Sequence, residues 1–211
     1  VKIVKRQMYW TDNDTWAWPE GDSQLLAVFD QVNDIDRIVK HVRKFDLCIQ
    51  AGGAAGIWAR RFGQLFGTVI TFEPNPLCYE CLMINAPSGS VLKCNAALAA
   101  ASGFCEMAIP EGHANNLGAW YTVNGRGSIP TVALDSLSLG CCDLIQLDIE
   151  GGELAALTGA FRTIEKFSPV IVLEQKALPH LPVPDAGPYL KRAHNYRLAE
   201  RIGNDDVFVP C

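Results

Sequence analysis

The chain has 211 residues, 49% hydrophobic and 19% charged, with a net charge of −5, which is the size and balance of one globular domain able to bury a substantial core. The densest basic run, Lys40–Lys44, reads as the solvated end of a helix, and no stretch gathers the Lys and Arg that nucleic acid requires of a primary partner. No apolar run reaches the roughly 18 residues that span a bilayer, and the first residues lack the pattern of a secretion signal, so a cytoplasmic protein without membrane association is expected.

Residues 1–44 read as an N-terminal extension and helix, and residues 45–211 as the main domain. Trp10, Trp16 and Trp18 stand among Asp and Thr in Val1–Gly21 without a clear period, an extension suited to capping the sheet or a site. Asp22–Lys44 carries apolar residues near the 3.6 spacing of a helix. A buried strand is expected at Asp46–Gln50, a helix at Gly56–Phe66, a β-branched strand at Thr68–Phe72, a helix at Pro76–Asn85 and a third strand at Ser90–Cys94. This alternation predicts a parallel sheet with right-handed crossovers.

The pattern then changes. Gly103–Ile109 and Ile129–Val132 read as short strands around a polar loop, Glu111–Gly127, whose length suits a lid. Alternation resumes with a strand at Leu144–Asp148, a helix from Glu153 to Phe167 and a strand at Pro169–Glu174. Pro179, Pro182, Pro184 and Pro188 mark an irregular crossing, followed by a short helix around Tyr189–Ala193. Tyr196–Ile202 and Val207–Val209 predict a closing antiparallel hairpin.

Eight cysteines include Cys78 and Cys81, with two residues between them in a predicted helix, and the adjacent Cys141 and Cys142. Zinc sites pair such spacings with a second pair or with histidines. Neither is present, so no metal is expected, and buried free thiols are the better reading than disulfides.

Three strand ends carry the chemistry. Phe45–Gly56 (FDLCIQAGGAAG) runs from a strand into a glycine turn, Thr68–Pro76 (TVITFEPNP) ends in Glu73, and Asp143–Glu153 (DLIQLDIEGGE) delivers Asp148 and Glu150 onto a turn. Ligands of open α/β sheets bind at the carboxyl ends of strands. Glycines at 52–56 let backbone approach a ligand closely, and Glu73, about 20 residues on, is placed to accept bonds from two ribose hydroxyls. A dinucleotide and S-adenosylmethionine both satisfy this much. The G-G-A-A-G order lacks the spacing that cradles a pyrophosphate, and no Gly-Lys-Ser/Thr follows it.

IQAGGAAG, TFEPNP, VALDSL, DLIQLDIEGGELAALTGA and PVIVLE follow one another in an order that resembles the FkbM-type methyltransferases, over about Phe45 to Val209. The resemblance implies a Rossmann-like class I methyltransferase fold, a three-layer sandwich with a mostly parallel central sheet and a C-terminal hairpin. It also implies S-adenosylmethionine as cofactor and methylation of a hydroxyl oxygen on a small molecule or sugar. Gly52, Gly53 and Gly56 would line the methionine and ribose, Glu73 would hold the ribose, and Asn95 and Ala96 would lie beside the adenine. Asp148 would face the methionine ammonium or the reacting centre. Gln50 departs from the family, which usually has an acidic residue there; an amide keeps the hydrogen bond to the ammonium but not the charge attraction.

Methyl transfer to a hydroxyl requires a base for its proton, and Asp148, Glu150 and His113 are the candidates. Glu150 also has a structural reading as a helix cap, a role more natural for Glu153. Asp148 and Glu150 are close enough to share a metal, but no further ligand cluster accompanies them in the sequence. Two other readings stay open: a nicotinamide or nucleotide-sugar enzyme, and a non-catalytic binding or assembly module on the same fold.

Overall fold

A computed structural model describes residues 2–7, 15–22, 31–86, 89–125, 127–175 and 185–211. Trp10, residues 23–30 of the first expected helix, and Pro179, His180, Pro182 and Pro184 lie outside the described residues.

Five parallel strands form the centre of the molecule: β3 (Leu47–Ala51), β4 (Thr68–Phe72), β5 (Val91–Cys94), β10 (Leu144–Leu147) and β11 (Val170–Glu174). The hairpin of β12 (Tyr196–Ile202) and β13 (Asp205–Pro210) completes a seven-stranded sheet in the order β12-β13-β11-β10-β3-β4-β5, with β13 antiparallel to both its neighbours. Each strand sends alternate side chains to opposite faces. Cys48, Val69, Leu144 and Val172 meet Ile35, Ile38, Phe62 and Leu82 on one face. Ile49, Phe72, Ile145 and Leu173 meet Leu134, Leu157, Ile164 and Leu190 on the other. These are the three layers that the alternation predicts.

The helices on the first face include α1 (Ile35–Ile38), α2 (Ile57–Phe62) and α3 (Pro76–Asn85). Pro76 opens α3 where its missing N–H is harmless, and the Asn75 side chain caps it by accepting from Leu77 N at 3.0 Å. The opposite face carries α4 (Glu153–Thr158), α5 (Phe161–Phe167) and α6 (Gly187–Ala193).

Two expectations gain detail and two are corrected. The tryptophan-bearing extension is a hairpin, β1 (Ile3–Gln7) with β2 (Thr15–Pro19), docked on α3: the Asn85 side chain accepts from Ala17 N and donates to Ala17 O, and Trp16 and Trp18 enter the first core. The described part of the first helix alternates 3-10 and α turns from Val32 to His41. The helix expected over Glu153–Phe167 breaks at Gly159, whose carbonyl accepts from Asp135 N at 2.8 Å and whose backbone lies so close to Ala99 that a Cβ would fall 2.1 Å from the Ala99 carbonyl oxygen. Finally, the lid segment is not all loop. It contains β8 (Tyr121–Asn124), which pairs with β7 (Gly103–Ala108) in a second sheet completed by β9 (Ile129–Val132) and β6 (Ala97–Leu98), in the order β6-β9-β7-β8.

Candidate active site

Strands β3 and β10 are neighbours, yet the chain leaves them in opposite directions, to β4 and to β11. A crevice opens at such a switch point, beyond the carboxyl ends of the strands. It holds a cavity of about 160 Å³ that opens to solvent.

The glycine turn forms one wall. Gly52 N and Gly53 N both donate to Phe72 O, at 3.1 and 2.9 Å, and Asp148 N donates to Ala51 O at 3.1 Å. These bonds draw the turn against the ends of β4 and β10. Gly52 takes φ +86°, and a Cβ there would sit 1.9 Å from the Asp148 carbonyl oxygen, so only glycine fits. Gln50, 1% exposed, fastens the turn from below: its Oε1 accepts from the Thr71 hydroxyl, and its Nε2 donates to Gly52 O at 2.9 Å.

Glu73 closes the same wall from β4. It is 6% exposed, and its two oxygens accept from Asn75 N and Ala54 N, each at 2.7 Å. Burial pushes its carboxyl up to about 7, against the pull of those two amides, and the nearby charge of Asp148 adds to the rise. Asn95 Nδ2 donates to Glu73 O at 2.8 Å and so fixes the backbone that carries the carboxylate.

Asp148 follows β10 immediately. Glu150, two residues on, has φ +49°, a left-handed backbone uncommon outside glycine, and Gly151 continues the turn at φ +97°. Glu153 serves this turn, accepting from Ile149 N at 3.2 Å and from Gly151 N at 3.3 Å. These bonds hold the turn ahead of the helix and do not cap the helix itself, which has no side-chain cap. Glu174 ends β11 beside Asp148, and one oxygen each of Asp148, Glu150 and Glu174 lie within 4.8 Å of one another. The sequence offered no third carboxylate beside this pair; the structure brings Glu174 there. Asp205, opposite Glu174 on β13, is pushed up to about 7 by burial and then by the charges of Asp148, Asp34 and Asp206.

Of the positions singled out from sequence, Gln50, Gly52, Gly53 and Glu73 line the cavity, as do Ala96, Asp148 and Glu150. Gly56, Asn95 and His113 are not among its lining residues, and His113 is exposed on its loop. The lid segment does border the cavity, through Asn116, Leu117, Trp120 and Thr122. Sequence reasoning missed Glu174 and Gln146. Glu174 also ends a strand, so the signal that found Glu73 could have found it. Among the described lining residues the charged side chains are all carboxylates. The cavity suits a ligand that brings hydroxyl donors to Glu73 and positive charge to Asp148, Glu150 and Glu174.

A sequence profile of the FkbM methyltransferase domain matches residues 58–198. Among solved structures, the methyltransferase FkbM of Methylobacillus flagellatus KT is similar at 14% identity with a TM-score of 0.56, over 88% of this chain and 53% of that one. The chain thus spans about half the length of that relative. The candidate methyltransferase yhhF of Escherichia coli is similar over 99% of both chains, at 10% identity and a TM-score of 0.50. At these identities the likeness is one of fold, and the α/β architecture is that of a Rossmann-like class I methyltransferase. No curated protein matches the chain.

Proposed function

The chain belongs to the FkbM methyltransferase family, and from that premise we propose that it is an S-adenosylmethionine-dependent methyltransferase acting on a hydroxyl oxygen of a small molecule or sugar. The observation that carries the reading is Glu73. A buried carboxylate faces the side-chain-free turn at Gly52 and Gly53, and each of its oxygens, already taking one amide, can accept one more donor. Two vicinal ribose hydroxyls meet that requirement. The turn packs closely on β4, since a Cβ at Gly53 would come 2.9 Å from Thr71 Oγ1, and so carries no side chain into the cavity there.

Ala96, Ala97 and Leu98 supply an apolar wall for the adenine, with Asn95 acting behind them through its grip on Glu73 O and Pro74 O. Gln50 keeps the turn in shape through Gly52 O, a bond that needs no charge, so the amide serves here without the family's usual acid. When bound, S-adenosylmethionine supplies an electrophilic methyl group on a sulfonium. The protein's own share is to orient the acceptor and take its proton. Asp148 and Glu150 stand at the cavity wall with oxygens able to receive it, and the lid residues Leu117 and Trp120 cover the same space and restrict water.

Calorimetric titration with S-adenosylmethionine and S-adenosylhomocysteine, with NAD as control, tests the reading. Both sulfur compounds are expected to bind and NAD is not. Glu73→Ala should weaken binding about 100-fold while circular dichroism shows the fold retained, since charge-assisted bonds to two hydroxyls are lost together. A folded wild-type protein that binds neither sulfur compound overturns the proposal.

A further inference from the structure

Asp148 stands just past the end of β10, and Glu174 is the last residue of β11. The two strands are parallel with Leu147 beside Leu173, so the next positions, Asp148 and Glu174, are neighbours. The left-handed turn at Glu150 adds a third carboxylate, and one oxygen from each of the three lies within 4.8 Å of the others. Oxygens on opposite sides of one ion, at the bond lengths of about 2.3–2.6 Å usual for calcium, stand about 4.6–5.2 Å apart. The cluster is therefore drawn together closely enough to share one ion.

A second observation points to a ligand at the same place. Gln146 precedes Asp148 by two residues where the chain leaves β10 still bonded to β3 through Asp148 N and Ala51 O, and both residues line the same cavity. It is 2% exposed, and its Oε1 has no hydrogen-bond partner among the described residues. Buried amide oxygens are almost always satisfied. An ion bound above it, carrying water, would provide the donor.

We propose that Asp148, Glu150 and Glu174 bind one hard divalent cation of the Mg²⁺, Mn²⁺ or Ca²⁺ class, with Gln146 receiving a hydrogen bond from a water on that ion. An all-oxygen donor set selects hard cations over zinc or copper. The cation's function rests on the methyltransferase reading: it would seat the acceptor's hydroxyl oxygen and lower that hydroxyl's pKa. The binding itself does not depend on that reading.

Titration of the purified chain with MnCl₂, followed by loss of the free Mn²⁺ signal in electron paramagnetic resonance, tests the site without any turnover. One equivalent per chain should bind. Glu174→Gln and Glu150→Gln, each checked for fold by circular dichroism, should each weaken binding at least tenfold. Asp46→Asn, an exposed carboxylate at the other end of the sheet, should leave it unchanged. No binding at millimolar Mn²⁺, or wild-type affinity in both Gln variants, overturns the proposal. Titration with S-adenosylmethionine in EDTA separates this outcome from the cofactor's. Cofactor bound without Mn²⁺, and weakened by Glu174→Gln, would reassign the three carboxylates to the methionine ammonium. Mn²⁺ bound without cofactor would leave the cation site standing and sink the methyltransferase reading alone.

Discussion

The two ends of the central sheet carry opposite charge, and they keep it in different ways. At the amino ends of the strands Lys40, Arg43, Lys44, Lys166 and Arg197 border an open groove, and all five are exposed. At the carboxyl ends Glu73, Glu150 and Asp205 are only 6%, 7% and 8% exposed. Exposed cations lose little hydration and cost the fold little, whereas a carboxylate taken out of water is unfavourable unless something compensates it. Asp143 shows what compensation looks like at the amino end, where one of its oxygens accepts from Asp46 N and Leu47 N at 2.8 and 3.0 Å. At the carboxyl end Glu73 takes two backbone amides in the same way, from Asn75 N and Ala54 N, yet deeper burial and neighbouring like charge still raise its pKa and that of Asp205. That burial of acids at one end, more than the net charge of −5, is what sets the two ends apart.

Glycine substitution is the sharpest way to break the comparison. Gly52→Ala would place a Cβ 1.9 Å from the Asp148 carbonyl oxygen at φ +86°, a clash with backbone that no rotamer relieves. It should destabilise the protein by about 3 kcal/mol or more, lowering Tm by roughly 6–12 °C for a chain of this size. Cofactor binding should be lost with it. Gly140 borders the groove at the amino end, and a Cβ there meets nothing within 4 Å. Gly140→Ala should therefore stay within about 0.5 kcal/mol of wild type. Equal Tm values for the two variants in thermal unfolding would remove the distinction between the ends.

The carboxyl end was legible from sequence where chemistry coincided with a strand end. The turn at Gly52, Glu73 after β4 and Asp148 after β10 each follow an apolar run that announces its own termination, and all three line the cavity. Glu174 was hidden because a glutamate closing PVIVLE looks like any polar residue leaving a strand; only the pairing of β10 with β11 brings it to Asp148. The second sheet was hidden for a different reason. Its strand Tyr121–Asn124 lies in a stretch rich in Asn and Gly, and its partner is Cys105–Ala108, a pairing that local periodicity does not encode. The helix break at Gly159 likewise depends on a contact with Ala99, some sixty residues away in sequence. Exposure of His113 and burial of Trp16 and Trp18 are also products of tertiary placement, in stretches without a period.

The acids themselves predict a pH dependence of intermediate size. Glu73 and Asp205 are both pushed up to about 7, from ordinary values of 4.5 and 3.8, with burial the first cause in each. A raised folded-state pKa means that the folded protein holds the proton more tightly than the unfolded chain. The resulting stability is complete below the unfolded values and is lost as pH rises through about 7. The ligand-free protein should therefore lose Tm between pH 5 and pH 8, and Glu73→Gln, which stays neutral, should flatten that decline. Cofactor affinity should run the other way, because ribose hydroxyls are better held by the ionised carboxylate. A decline as steep in Glu73→Gln as in wild type would show that Glu73 does not contribute to it.

The smallest effect is expected at the opposite end of the sheet, and it is informative because it is small. Lys44 and Arg197 come from distant parts of the chain to border one groove, and both side chains are exposed. If their charges are merely solvated, the double variant Lys44→Ala, Arg197→Ala should change unfolding free energy by no more than about 0.5 kcal/mol. Affinity for S-adenosylmethionine should be unchanged, because these residues border the groove at the strands' amino ends and the cavity proposed for the cofactor opens at their carboxyl ends. A gain in stability from the double variant would show that these cations repel one another strongly enough to cost the fold. Such a cost is sustained only where an anion offsets it, so that result would make the amino end a second ligand-binding end rather than the passive one.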